Sequence, residues 1–179
     1  MKTFAIPTRE QVTPENQVIF DTLTKVVGRV PNLFAVFATS DHALANYITL
    51  SNGKTSLRAK EKEAVNLIVS QVNDCAYCSA AHTAIAKMNG FNDDQIVEIR
   101  GGSASFDPKI DALVKVAKSI TENKGHADHQ LVENFYAAGY TQANLIDVAV
   151  AVGDKTITNY VYALTQVPVD WPAIPELVK

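Results

Sequence analysis

The sequence predicts an all-α protein. Three observations carry that expectation. Apolar residues recur at helical spacing, and Ser, Thr, Asp and Asn starts pair along the chain with Gly or Asn stops. No stretch alternates apolar and polar residues for long enough to make a strand. The pattern divides the 179 residues into about eight helices within one domain, 1–179, with extended ends at 1–11 and 167–179.

Taken in order, Thr13-Pro14 reads as an N-cap with proline at the first helical position, and Gly28 as the stop. Pro31 opens a short helix through Phe37. Ser40 caps a helix ending before Gly53, and Ser56 caps one running to about Val72. Asn73 or Asp74 starts the next, which stops at Asn89-Gly90. Asn92 or Asp93 begins a short helix ending at Gly101-Gly102. Asp107-Pro108 starts another that ends near Gly125, and Asp128 one that ends at Gly139. Thr141 caps a long final helix to about Gln166. The apolar run Val148–Val152 belongs to that helix, because Leu145, Ile157 and Val161 continue it at helical spacing. Pro168, Pro172 and Pro175 around Trp171 keep the last segment out of a regular helix, and its apolar content implies packing against other residues.

At 47% hydrophobic and 20% charged, the chain can bury a sizeable core. A net charge of −3 with no basic cluster argues against a nucleic-acid surface, which needs concentrated positive charge. The opening Met-Lys-Thr-Phe-Ala-Ile-Pro is too short an apolar run for a secretory signal, and no run suits a membrane span, so the expectation is a cytoplasmic protein. Only two cysteines are present, Cys75 and Cys78. A bond between them closes a loop too small to constrain the unfolded chain much, so redox or metal chemistry is the better reading than stapling.

The segment Asn73-Asp74-Cys75-Ala76-Tyr77-Cys78-Ser79-Ala80-Ala81-His82 concentrates the chemistry. On a helix starting at Cys75, positions 75, 78 and 82 fall within about 60° of one another, so both sulfurs and the imidazole share a face. Cysteines three apart on a helix have Cα atoms about 5 Å apart, inside the usual disulfide window. The helix start favours thiolate, and His82 one turn after Cys78 can take its proton or stabilise its anion. A thiolate beside a second thiol suits two-electron chemistry with a peroxide or disulfide. A proton-shuttling histidine works better with an orienting acid, and the preceding helix offers Glu61 and Glu63. Periodicity does not choose between them.

Leu57-Arg58-Ala59-Lys60-Glu61-Lys62-Glu63-Ala64-Val65-Asn66-Leu67, followed by Cys-Ala-Tyr-Cys-Ser-Ala-Ala-His, resembles the core of AhpD-like alkylhydroperoxidases of the carboxymuconolactone decarboxylase superfamily. The shared pattern is a glutamate, eleven residues, then Cys-x-x-Cys-x-x-x-His, a spacing that Glu63 satisfies and Glu61 does not. Val30-Pro31-Asn32-Leu33, Thr158-Asn159-Tyr160 and Pro168 are also similar to peroxidase-related members. The resemblance implies an all-α fold with a redox core at about 55–90, assembled as a trimeric or hexameric homo-oligomer. It implies Cys78 as the peroxidatic cysteine, Cys75 as the resolving one, and Glu63 with His82 as a proton relay. Its implied substrate is a hydroperoxide and its implied reductant an external dithiol or protein, with no organic cofactor and no metal. The best-known members carry a second histidine between the cysteines, where this chain has Tyr77.

Other readings stand beside this one. Cys75, Cys78 and His82 with His126 or His129 offer a zinc donor set, although all three lie along one helix rather than wrapping a metal. His126 and His129 flank the Asp128 cap and read as a solvated turn, and His42 as exposed. Lys155, Asn159 and Tyr160 lie in a mostly apolar helix, and spacing assigns them no chemistry. The rival functions are a lactone decarboxylase-like enzyme that does not depend on the cysteines, and a non-catalytic metal-binding or redox-sensing module.

Overall fold

Helix punctuation in the computed structural model, which describes residues 4–175 and Leu177, follows the expected signals at most places. The described residues form nine α-helices, one for each of the nine segments traced in the sequence though the expectation was about eight, and contain no strand. They are α1 (Pro14–Val27), α2 (Asn32–Phe37), α3 (Ala43–Ser51), α4 (Ala59–Val72), α5 (Ala76–Met88), α6 (Asp93–Gly101), α7 (Pro108–Glu122), α8 (His129–Ala137) and α9 (Gln142–Thr165). Thr13 Oγ1 accepts from Asn16 N at the start of α1, and Gly28 ends it with φ of 84°. Asn92, Asp107 and Asp128 cap α6, α7 and α8 through their side chains. No helix among the described residues is long and apolar enough to cross a membrane.

The starts of α4 and α5 differ from expectation, the first because long-range partners take Ser56 and the second because Asn73 and Asp74 are used to close α4. Ser56 does not cap α4. Its N–H donates to Asp147 and its hydroxyl accepts from Asn144, both from the region of α9. Arg58 is the N-cap instead, and its N–H donates to Glu61 Oε2 at 2.8 Å, one half of a capping box. Helix α5 is capped by Cys75 rather than by Asn73 or Asp74, which close α4. The N-terminal segment expected to be extended holds a single 3-10 turn at Arg9–Gln11.

The chain divides into two compact units. In the first, Met1–Lys54 with Tyr160–Asp170, helices α1 to α3 bury Phe20, Leu33, Val36, Phe37, Leu44 and Tyr47. Tyr47 packs on Phe37 with ring centroids 5.0 Å apart. Helix α2 has no side-chain cap of its own, because Pro31 stands at its N-cap. Asp170 from the tail supplies it, accepting from Asn32 N at 3.1 Å and pairing with Arg29. The apolar tail is thus held to its own chain at this point.

The second unit, Thr55–Asn159 with Trp171–Lys179, is organised around α4, which packs on α5, α6 and α7. Neighbours on three sides bury α4 almost all round: Ala64, Val65, Leu67 and Val69 are fully enclosed, and Glu61, Glu63, Asn66 and Ser70 are buried with them. Helix α7 adds Ile110, Leu113, Val114, Val116 and Ala117 to the same core. Phe135 of α8 stacks on Tyr140 at 4.3 Å, and the Tyr140 hydroxyl donates to Glu61 Oε1 at 3.0 Å. Buried carboxylates need partners. Glu61 finds its partners at the start of α4, in Arg58 and Tyr140; Glu63 must find its own elsewhere.

Candidate redox site

The junction between α4 and α5 contains no linker. Asn73 ends α4, and Asp74 turns the chain at φ of 53°, in the left-handed region where glycine is usual. Asp74 N donates to Gln71 O and Cys75 N to Ser70 O, the pair of closing bonds that ends a helix around a left-handed residue. Cys75 then opens the next helix: its Sγ accepts from Cys78 N at 3.2 Å, and its carbonyl accepts from Ser79 N. One residue finishes one helix and caps another, so the Cys75 side chain has little freedom of direction.

Cys75 and Cys78 are joined as a disulfide with Cα atoms 5.4 Å apart, close to the helical expectation. They are only 2% and 3% exposed. Cys78 is the third residue of α5, inside the first turn, where unpaired N–H groups favour a thiolate once the bond is reduced. Tyr77, between them, is buried.

His82 lies one turn beyond Cys78, and its Nδ1 is 2.7 Å from Glu63 Oε2. The other Glu63 oxygen accepts from Asn66 Nδ2 at 3.0 Å. Burial, joined by the positive charge of Lys155, pushes His82 below the ordinary imidazole range, and this outweighs the pull of Glu63 and Asp154 in the other direction. Burial alone would raise Glu63, but His82, Lys155 and the bond from Asn66 hold it below the usual carboxylate range. The pair therefore rests as a carboxylate beside a neutral ring. A neutral ring that faces a carboxylate through Nδ1 carries its proton there, which leaves Nε2 as the free base.

All four residues singled out in the sequence, Glu63, Cys75, Cys78 and His82, lie in this unit on two packed helices and their junction. Glu61 lies apart, in the cap of α4. The structure adds two residues to which spacing assigned nothing. Lys155 of α9, 4% exposed, is electrostatically coupled to both Glu63 and His82. Asn159, one turn on, accepts through Oδ1 from Asn73 Nδ2 at 2.9 Å and ties α9 to the α4–α5 junction. A signal for Lys155 was present: it falls in phase with Val148, Ala151 and Val152, on the face of α9 that is buried.

The other histidines stand away from this chemistry. His129 is solvent-exposed, with Glu133 3.9 Å away, and His42 and His126 are exposed as well. Among the described residues no group of three or more His, Cys, Asp or Glu side chains is arranged to hold a metal ion.

Residues 38–119, which include the whole Glu63-to-His82 pattern, match the model of the carboxymuconolactone decarboxylase family. No curated protein matches the chain. Among solved structures, an uncharacterized peroxidase-related protein from Silicibacter sp. TM1040 is similar at a TM-score of 0.79 and 21% identity, over 92% of this chain and 88% of that one. An AhpD-core, peroxidase-related protein from Ralstonia eutropha JMP134 is similar at 0.82 and 17%, over 90% and 88%. The debrominase Bmp8, a cysteine-to-alanine variant in complex with 2,3,4-tribromopyrrole, is similar at 0.77 and 16%, over 95% and 93%. At these identities the likeness to solved structures is one of fold. The matched segment, somewhat less than half of the chain, carries the Glu-x11-Cys-x2-Cys-x3-His pattern and is similar to the carboxymuconolactone decarboxylase family, while the all-α architecture is shared with these solved structures along nearly the full chain.

Proposed function

We propose that this protein is a thiol-dependent peroxidase that cycles between a Cys75/Cys78 dithiol and the disulfide. The observation that carries the reading is the cysteine pair at the first turn of α5, followed one turn later by a histidine held 2.7 Å from a buried glutamate. In the reduced enzyme the free Nε2 of His82 takes the Cys78 proton, directly or through a water, while Glu63 stabilises the imidazolium that forms. The Cys78 thiolate attacks the terminal oxygen of a hydroperoxide. The O–O bond breaks, Cys78 becomes a sulfenic acid, and the alkoxide leaves with the proton returned by His82. The Cys75 thiol then attacks the Cys78 sulfur, the disulfide forms, and water departs. An external dithiol or protein reductant restores both thiols, itself becoming a disulfide.

Both sulfurs are buried, and this sets a condition on the substrate. The oxidant must be small enough, or the site must open enough, for its terminal oxygen to reach Cys78. A compartment that supplies dithiol reductant suits such a cycle, so we place the protein in the cytoplasm. The outward face of α9 exposes Ile146, Val150, Ile157, Tyr160 and Leu164 at helical spacing, which supports assembly as a homo-oligomer of the trimeric or hexameric kind. Light scattering that shows a monomer at micromolar concentration would remove that part of the proposal.

The likeness to a debrominase supports a second reading with the same electron flow. Two thiols can reduce a carbon–bromine bond to carbon–hydrogen, releasing bromide and a proton and closing the same disulfide. The test is steady-state turnover of hydrogen peroxide, a bulky alkyl hydroperoxide, a bromopyrrole and a lactone with a dithiol donor, comparing wild type with Cys78→Ser. Peroxide turnover that disappears in the variant supports the peroxidase reading. Debromination without peroxide turnover replaces it with the second reading. Lactone turnover that survives Cys78→Ser would overturn both.

A further inference from the structure

A glutamate carboxylate turns easily about its last torsion, so its direction is set by the groups that donate to its two oxygens. Glu63 has one such partner on each side. His82 Nδ1 of α5 lies 2.7 Å from Oε2, and Asn66 Nδ2, one turn further along α4 itself, donates to Oε1 at 3.0 Å. The amide edge that faces Glu63 is the NH2, because an ionised carboxylate only accepts. Glu63 and Asn66 are both buried, so little bulk water competes for either oxygen.

Asn66 is a costly residue at its position. Its neighbours along α4, Val65, Leu67, Ile68 and Val69, are apolar and enclosed. A leucine has as many side-chain heavy atoms as an asparagine and would fill the same place with no polar atom to satisfy. Among the described residues no hydrogen bond reaches Asn66 Oδ1, although it is buried. A buried amide with only one edge partnered lowers stability. The edge that is partnered goes to the carboxylate of the relay, so what Asn66 supplies is the direction of Glu63 rather than the packing of α4. One turn further on, the Ser70 carbonyl accepts from Cys75 N, so α4 holds the carboxylate and the first cysteine in one frame.

We propose that Asn66 is a positioning residue for the redox site: its Nδ2 holds Glu63 so that Oε2 alone meets the ring, and thereby selects the His82 tautomer with its proton on Nδ1 and its free base at Nε2. Removing the amide lets the carboxylate swing, and the ring loses the contact that selects its tautomer. This rests on the reading of His82 as the base for Cys78, and the two can fail separately.

The experiment observes the ring nitrogens of His82 by NMR in the reduced full-length protein with nitrogen-labelled histidine, its signals assigned with His82→Gln, in wild type, Asn66→Leu and Asn66→Gln. In parallel, the rate of Cys78 alkylation by iodoacetamide is measured in a Cys75→Ser background. Wild type is expected to show one tautomer, protonated on Nδ1. Asn66→Leu is expected to show a mixture of the two tautomers and to slow Cys78 alkylation by about tenfold, the lower end of what the loss of an orienting partner costs. Asn66→Gln, which carries the same amide on a longer stem, is expected to restore most of both. A wild-type ring protonated on Nε2, or an Asn66→Leu ring that keeps the single Nδ1 tautomer, overturns the role of Asn66. So does an Asn66→Gln variant that behaves like Asn66→Leu. If Cys78 is alkylated as fast with His82→Gln as without it, the reading of His82 as the base fails, and the ring tautomers still decide the role of Asn66. Should Asn66→Leu fail to fold, Asn66→Ala carries the same comparison, since it also removes the donor.

Discussion

Glu63 Oε2 lies 2.7 Å from His82 Nδ1, joining the middle of α4 to the middle of α5, with Asn66 holding the other carboxylate oxygen. The contact fixes the ring's orientation and leaves Nε2 as its free base. Replacing Glu63 with Gln keeps the shape and a hydrogen-bonding oxygen but removes the charge that stabilises an imidazolium. The expected outcome is a folded protein whose Cys78 oxidation by peroxide slows by about 10- to 100-fold, the range for losing an orienting partner. Stopped-flow measurement of thiol loss checks it, and an unchanged rate would mean the pair is structural.

The same burial predicts a pH-dependent stability. His82 sits below its ordinary range in the folded state, so its neutral form stabilises the fold above the unfolded value near 6.5. That contribution is lost as pH falls below 6.5, where the unfolded chain takes up a proton that the folded one refuses. Glu63 acts in the same direction at lower pH, below about 4.5. Stability to urea should therefore drop between pH 7 and 5.5 with a slope of at most about 1.4 kcal/mol per pH unit from His82. His82→Gln should flatten that part of the curve. A wild-type curve already flat over this interval would contradict the neutral buried ring.

Asp74 holds the turn between the helices in a left-handed conformation. Asp74→Val places a branched side chain there and is expected to cost about 1–2 kcal/mol, whereas Asp74→Gly should be close to neutral. Urea unfolding of the two variants measures this. Equal stabilities would show that the junction relaxes around the substitution.

Cys75 has a structural duty beside its chemical one, since its sulfur caps α5. Cys75→Ser supplies a hydroxyl that can cap in its place, whereas Cys75→Ala cannot. Compared in the reduced state, the alanine variant should be less stable than the serine variant by about 1 kcal/mol. Thermal unfolding with reductant present checks it, and the reverse order would show that the sulfur contact does not act as a cap.

Much of the fold was legible in the sequence because its helices are punctuated by residues with strong local chemistry. Thr13-Pro14, Gly28, Asn92, Asp107-Pro108 and Asp128 all act where local rules place them. The rules failed where tertiary partners compete. Ser56 is claimed by Asp147 and Asn144, about ninety residues away, so the start of α4 passes to Arg58 with Glu61. Asn73 and Asp74 looked like a helix start but close the helix before it, and the start falls to Cys75, a residue that capping preferences would not choose. The two candidate acids could not be separated by periodicity, because α4 is buried nearly all round and both glutamates lie inside. The resemblance pointed to Glu63, and the packing shows what occupies Glu61. Lys155 escaped because its effect is exerted on residues more than seventy positions earlier, and nothing local in α9 names them.

The most direct test of the account is to identify the sulfur that first meets the oxidant. Reduced Cys75→Ser and Cys78→Ser variants are treated with one equivalent of peroxide and a sulfenic-acid trap, and the modified residue is located by mass spectrometry. The account predicts a trapped sulfenic acid at Cys78 in Cys75→Ser and little or no reaction at Cys75 in Cys78→Ser. Trapping at Cys75 alone would reverse the two roles, and a Cys78 that stays unmodified in both the variant and the wild type would contradict the peroxidase reading altogether.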